Sequence, residues 1–138
     1  MHAVEVASFA DPWSFHDFAE TLAAGVVFLV AVATDRRVTG YLVARQMADE
    51  AEILNVGVEP GSRRQGVGRA LVAAGLDRLR ALGARQVYLE VRESNRAARD
   101  LYRGFAFSEV ARRSKYYRHP VEDAIVLRAA IPAGEVPR

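Results

Sequence analysis

The feature that most constrains this chain is a change of hydrophobic period between residues 51 and 92. Residues 51–58 (AEILNVGV) run into a Glu-Pro-Gly-Ser stop and read as a strand. A basic, glycine-containing loop follows at residues 63–68, then a helical stretch to about Leu82, stopped by Gly83. In that stretch Leu71, Val72, Gly75, Leu76, Leu79 and Leu82 form one stripe, with Arg69, Asp77 and Arg80 away from it. Residues 86–92 (QVYLEVR) then alternate: Val87, Leu89 and Val91 on one face, Gln86, Tyr88 and Glu90 on the other. Strand, helix, strand in this order is a βαβ unit, which demands two parallel strands and a right-handed crossover.

The rest of the chain fits around that unit. Residues 26–33 (VVFLVAVA) are a continuous β-branched run, and 38–46 make a second strand after the turn at residues 34–37. With 51–58 they form an antiparallel meander. Upstream, Asp11-Pro12-Trp13-Ser14 is a turn, and Ser14 with Asp17 resembles a helix N-cap pair for a helix ending near Gly25. Downstream, residues 95–103 read as a short helix, and 107–112 and 123–129 as closing strands. The fold class is α/β, a mixed sheet of about six strands: a meander, one βαβ unit, a helix and a hairpin. The 138 residues suit a single domain over 1–131, with a Pro/Gly-containing tail at 132–138 expected to be flexible.

Composition removes several function classes. The chain has no cysteine, so no disulfide framework, thiolate metal site or cysteine nucleophile, which fits a cytoplasmic protein. His2, His16 and His119 are scattered and lack ligand spacing, so no metal is expected. Net charge is +2, with no Lys/Arg block and no row of stacking aromatics, which argues against direct nucleic-acid binding. The apolar run at 25–33 is too short to span a bilayer, and the first nine residues lack the features of a signal peptide.

Four groups of residues could carry chemistry. Arg63, Arg64, Gln65, Gly66, Val67, Gly68 and Arg69 sit between a strand and a helix start. Free N–H groups at a helix N-terminus, two glycines and three arginines suit a pyrophosphate. No Gly-Lys-Ser/Thr follows, and Leu71 stands where a dinucleotide fingerprint has its third glycine. The same segment would serve equally as a basic turn that starts a helix. Asn55, Val56, Gly57 and Val58 close the preceding strand, and a glycine there marks a bulge or a close backbone approach, or is tolerated for packing. A bulge would splay this strand from its parallel neighbour and leave backbone groups for an extended amide ligand. Glu90 lies on a strand expected to be covered on both faces, where partial desolvation makes a carboxylate a useful base; it could also be an ordinary polar-face glutamate beside Arg92. Asn95 and Tyr102 are seven apart on one short helix, on one face about 10 Å apart, as two contacts to one extended ligand or as a cap and a core tyrosine.

In this order and spacing the segments resemble the GNAT superfamily of acetyl-CoA-dependent N-acetyltransferases, and within it the bacterial ribosomal-protein alanine N-acetyltransferases. The resemblance is carried by AEILNVGVEP, RRQGVGRAL, LEVRESNRAARDLY, FSEVARRSKYY and EDAIVLR, with the Pro12-Trp13-Ser14 turn, over residues 12–128. It implies an enzyme that moves acetyl from acetyl-CoA to a primary amine, with a protein N-terminal α-amine as the expected acceptor. It further implies backbone groups of Val56 to Val58 on the acetyl carbonyl and pantetheine, and Arg64 to Arg69 on the pyrophosphate, with Arg63 opening the signature. Asn95 would contact pantetheine, Glu90 would act as base through water, and Tyr102 would protonate the departing thiolate. An acceptor that is a lysine or small amine, and a non-catalytic acetyl-CoA-binding module, are the alternatives; a pure binder needs neither Glu90 nor Tyr102. Three departures matter. Few residues precede Pro12, which puts the family's first strand in question. Phe105-Ala106-Phe107 replaces Leu-Gly-Phe, so Ala106 is strained if the turn demands a positive φ. Ser114 and Lys115 replace the usual Arg and Asn beside the Tyr116-Tyr117 pair, bearing on acceptor preference.

Overall fold

The computed structural model of the protein describes residues 3–5, 26–63, 65–118 and 120–132, with 3–5 as backbone. One mixed sheet runs through it in the order β1-β2-β3-β4-β5-β7-β6. The strands are β1 Ala3–Glu5, β2 Val26–Val32, β3 Val38–Met47, β4 Glu50–Val58, β5 Gln86–Arg92, β6 Ser108–Arg118 and β7 Val121–Ala130. Helix α1 is Val67–Ala81 and helix α2 is Arg96–Arg103. The first strand in question is therefore present as a three-residue edge piece, antiparallel to β2 with Ala3 opposite Val32. The Pro12 turn and the helix from Ser14 lie outside the described residues, as do residues 133–138 of the tail.

The core lies between the sheet and α1. Leu71, Val72, Gly75 and Leu79 of α1 are buried against Leu42, Ile53, Val87, Leu89 and Ile125. Truncating one such leucine to alanine typically costs about 2–5 kcal/mol. Leu82, expected on the same stripe, is 53% exposed: it is the C-cap, one residue past the end of the helix at Ala81. On the opposite face Phe28, Val30 and Val43 form a second apolar cluster.

β4 and β5 are parallel, as the βαβ unit requires, but they pair over only three positions, Glu50, Ala51 and Glu52 opposite Gln86, Val87 and Tyr88. From Ile53 and Leu89 onward they part. The cause is a bulge in β4: Val43 faces Asn55 while Ala44 faces Ile53, so Leu54 is the extra residue. Of the readings open for Gly57, the bulge falls three residues earlier, at Leu54, and the close approach is what the structure shows. A Cβ on Gly57 would stand 2.4 Å from the Tyr41 ring lying across it from β3.

The closing hairpin is longer than the sequence suggested. β6 reaches Arg118 rather than residue 112, and β7 starts at Val121. Two breaks in register, between Glu109 and Ala111 and between Arg113 and Tyr117, erase the period-two pattern. β6 is an edge strand exposed along almost its whole length, so neither face is marked by apolar residues.

Candidate active site

The parting of β4 and β5 opens a cleft of about 260 Å³. Asn55 and Val56 of β4 line one wall, and Glu90 and Arg92 of β5, Asn95 and Tyr102 of α2, and Tyr117 of β6 line the other. Glu90, Asn95, Tyr102 and Val56, four of the residues singled out from sequence, therefore meet in one place. Gly57 and Val58 continue the wall, still paired to β3 through Tyr41 and Gly40 but unpaired toward β5.

The glycine loop stands at the mouth of the cleft rather than inside it. Gly66 is the N-cap of α1 with φ +82°, a backbone state that favours glycine, and no side chain caps the helix. The first intrahelical bond runs from Ala70 N–H to Gly66 C=O, so the N–H groups of Val67, Gly68 and Arg69 have no helical acceptor. A Cβ on Gly68 would meet Leu101 at 3.7 Å and Val58 at 3.8 Å, ordinary contacts that place this helix start between the end of β4 and α2. Of the loop side chains, Arg63 donates to Val58 C=O at 3.3 Å and Gln65 to Gly61 C=O at 3.3 Å. Arg69 reaches sideways, its guanidinium 5.7 Å from the centre of the Phe105 ring. Arg64 lies outside the described residues.

Asn95 is the N-cap of α2: the Ala98 N–H donates to its Oδ1 at 3.1 Å. Tyr102 is 7% exposed and its ring meets Phe107 edge-on, centroids 5.5 Å apart. Burial pushes its phenol up to about 12, so it stays protonated across the physiological range. The clamp on this ring is local. Ala106, at φ +68°, ends α2 in a left-handed turn, with Ala106 N–H donating to Arg103 C=O and Phe107 N–H to Tyr102 C=O. This Schellman motif folds Phe107 back onto Tyr102. Positive φ at Ala106 is the strain its sequence neighbours implied.

Glu90 is partly buried, and its ion-pair partner is not the Arg92 that the sequence places beside it. Its side chain is 24% exposed, and Arg113 Nη1 donates to its Oε2 at 2.6 Å. The pair forms because Glu90 on β5 and Arg113 on β6 project from the same sheet face across β7, a placement invisible without the hairpin register. Arg113 also lies over the Tyr116 ring at 4.3 Å. Beside it Arg92 stacks on Tyr117 at 4.2 Å and bonds Glu122 at 3.1 Å. Hydrogen bonds from Ser94, its hydroxyl foremost, hold the Glu122 carboxyl below its ordinary range. Burial, and next the Glu90 charge, push the Tyr117 phenol up. Arg113 and Glu122 escaped sequence reasoning, and Tyr117 was visible only as half of a tyrosine pair after a run of cations. Among the described residues no group of three or more His, Cys, Asp or Glu could hold a metal, and no helix is long and apolar enough to cross a membrane.

A splayed parallel pair, an uncapped glycine helix start at its mouth, and a carboxylate and a phenol in the gap define a coenzyme-dependent acyl-transfer fold. The model of the acetyltransferase (GNAT) family matches residues 1–107, and the chain belongs to that family. It is an acetyl-CoA-dependent N-acetyltransferase. The ribosomal protein bS18-alanine N-acetyltransferase of Escherichia coli K12 is 35% identical over 131 residues, covering 93% of this chain and 87% of that protein. The crystal structure of the ribosomal-protein-S18-alanine N-acetyltransferase from Escherichia coli superposes with a TM-score of 0.82 at 30% identity, over 100% of this chain and 99% of that one. Arabidopsis thaliana NAA60 in complex with acetyl-CoA shares the fold at 18% identity, with a TM-score of 0.78 over 95% and 99% of the two chains.

Proposed function

We propose that this acetyltransferase acts on the N-terminal α-amine of a protein, an N-terminal alanine of a ribosomal protein above all, in the cytoplasm. The observation that supports the reading best is that Glu90 and Tyr102 line one cleft opened by the Leu54 bulge. In this reading the unpaired edge of β4 at Val56, Gly57 and Val58 receives the acetyl carbonyl and the pantetheine amides. Arg63, Arg64, Gln65, Gly66, Val67, Gly68 and Arg69 hold the pyrophosphate at the N-terminus of α1, mainly through backbone N–H groups. Asn95 meets the pantetheine arm from the start of α2.

The chain has no cysteine, so the amine attacks the thioester directly. The new N–C bond forms as the C–S bond breaks. The amine's proton goes to Glu90 through a water, and the thiolate takes a proton from Tyr102. An α-amine near pKa 8 is already about a tenth neutral at pH 7, whereas a lysine near 10.4 is almost wholly charged. An ion-paired, partly exposed carboxylate is a modest base, sufficient for the first and poorly matched to the second.

Two peptides test the acceptor: one with a free N-terminal alanine and blocked lysines, the other with a blocked N-terminus and one free lysine. Release of coenzyme A is expected with the first. Preference for the second overturns the α-amine assignment, and so does turnover with neither, which would point to a small-amine acceptor.

A further inference from the structure

Glu90 is exposed to two spaces. It lines the cleft between β4 and β5, and it also lines a groove of about 390 Å³ bounded by Arg45, Met47, Glu52, Tyr88 and Val126. An amine reaching the cleft along this groove therefore passes the Glu90 carboxylate. In the structure that carboxylate already holds a cation, Arg113 at 2.6 Å. A carboxylate so engaged cannot accept a proton from an incoming ammonium without giving up part of that pairing.

Arg113 is built to let go. It is 53% exposed, on an edge strand, and its register partner Ala124 is the last before the β6–β7 ladder breaks until Tyr117. Lys115, within the break, has φ +49°, a local departure from strand geometry. The guanidinium also has a second resting place, the face of Tyr116, itself 45% exposed. The cations nearest Glu90 other than Arg113 have partners of their own, while Glu50 adds a second carboxylate to the groove. Arg92 is engaged by Glu122 and Tyr117, and Arg45 across the groove pairs with Glu52 at 3.3 Å.

We propose that Arg113 is a stand-in for the acceptor's ammonium: it occupies Glu90 in the absence of acceptor and yields the carboxylate when the amine arrives, keeping its contact with Tyr116. Arg113 is thus a positioning residue that acts through Glu90. It keeps the carboxylate aimed, and it sets a threshold that only a cationic amine displaces well. The proposal rests on the acceptor reading above, in that the amine approaches Glu90.

Binding without chemistry tests it. Calorimetry is run on enzyme saturated with coenzyme A, with a short lysine-free peptide bearing a free N-terminal alanine, and with the same peptide N-acetylated. Arg113→Gln removes the competitor, so the free peptide should bind about five-fold tighter, which is about 1 kcal/mol of competition. Arg113→Lys should stay near wild type, and the acetylated peptide should gain nothing. In a Glu90→Gln background, Arg113→Gln should have no effect, because the exchange runs through that carboxylate. Unchanged or weaker binding in Arg113→Gln overturns the proposal, and so does equal tightening in the Glu90→Gln background, which would mark plain charge repulsion. The assignment of Glu90 as base fails separately. In that case Glu90→Gln keeps the wild-type pH–rate profile while the binding cycle still shows the exchange.

Discussion

The two walls of the cleft are built from different materials. The β4 wall, with the loop and the start of α1, is backbone: an unpaired strand edge, a left-handed glycine at the helix cap, and N–H groups without helical acceptors. The β5 wall, with α2 and the hairpin, is side chain: Glu90 on Arg113, Arg92 on Glu122 and Tyr117, and Tyr102 held by Phe107. A wall of backbone suits a ligand common to every turnover, since amide groups contact it whatever the side chains are. A wall of side chains holds protons and charges, and it can be retuned one residue at a time. Binding is therefore expected mainly on the first wall and proton transfer on the second. Substitutions on the first wall should cost coenzyme affinity, and those on the second, Asn95 apart, should cost turnover.

The sharpest test of that division is Tyr102→Phe, which keeps the ring against Phe107 and removes only the donor. Turnover should fall by about 10²-fold or more with coenzyme affinity nearly unchanged. Equal turnover in both proteins would take Tyr102 out of the chemistry and make the second wall a packing surface.

The same ring makes a second, slightly smaller prediction in stability. Burial raises the Tyr102 phenol to about 12, against about 10 in the unfolded chain. Between those values the unfolded state loses the proton while the folded state keeps it. Stability should therefore be unaffected below pH 10 and fall as pH rises from 10 to 12, by on the order of 2 kcal/mol. Denaturant melts of wild type and Tyr102→Phe across that range check it: the fall should be shallower in the variant, and parallel curves would place the tyrosine outside the core.

On the backbone wall the expected loss is in binding. Gly66→Glu puts a side chain on a residue at φ +82° and a negative charge beside the free N–H groups, so coenzyme affinity should drop about tenfold or more. Gly68→Ala sharpens the point. Its Cβ meets only ordinary contacts at 3.7 and 3.8 Å, so the fold should hold or gain a little helix stability, yet the coenzyme should bind more weakly. Calorimetry with coenzyme A on folded variants decides both. Unchanged affinity in Gly66→Glu would move the pyrophosphate elsewhere.

The smallest effect belongs to the turn beneath Tyr102. Ala106→Gly relieves a left-handed alanine, and melting should show a gain of about 0.5–1 kcal/mol with turnover unchanged. A loss of turnover instead would mean that the stiffness of alanine in this turn holds the phenol in place.

How far each wall was legible follows from range. Gly66, Gly68 and the arginines around them announce a helix start that welcomes an anion, because capping depends on the φ of one residue and the N–H groups of the next three. Tyr102 and Asn95 were legible as one face of one short helix. The sequence could not choose between a bulge and a packing glycine at Gly57: the ring of Tyr41, sixteen residues away, decides for packing, and the bulge sits at Leu54, where no residue type marks it. The length of β6 was missed because an exposed edge strand with two register breaks carries no alternation.

By itself the sequence determined the βαβ unit, the glycine helix start and the identity of the groups that can hold a proton, since each is a matter of period, φ or residue type within a few positions. The tertiary structure alone decided that β4 and β5 part after three pairs, and that Glu90 meets an arginine twenty-three residues away. Those outcomes depend on register between strands distant in the chain. A shift of one residue there would turn Arg113 to the other face of the sheet and leave Glu90 without its cation.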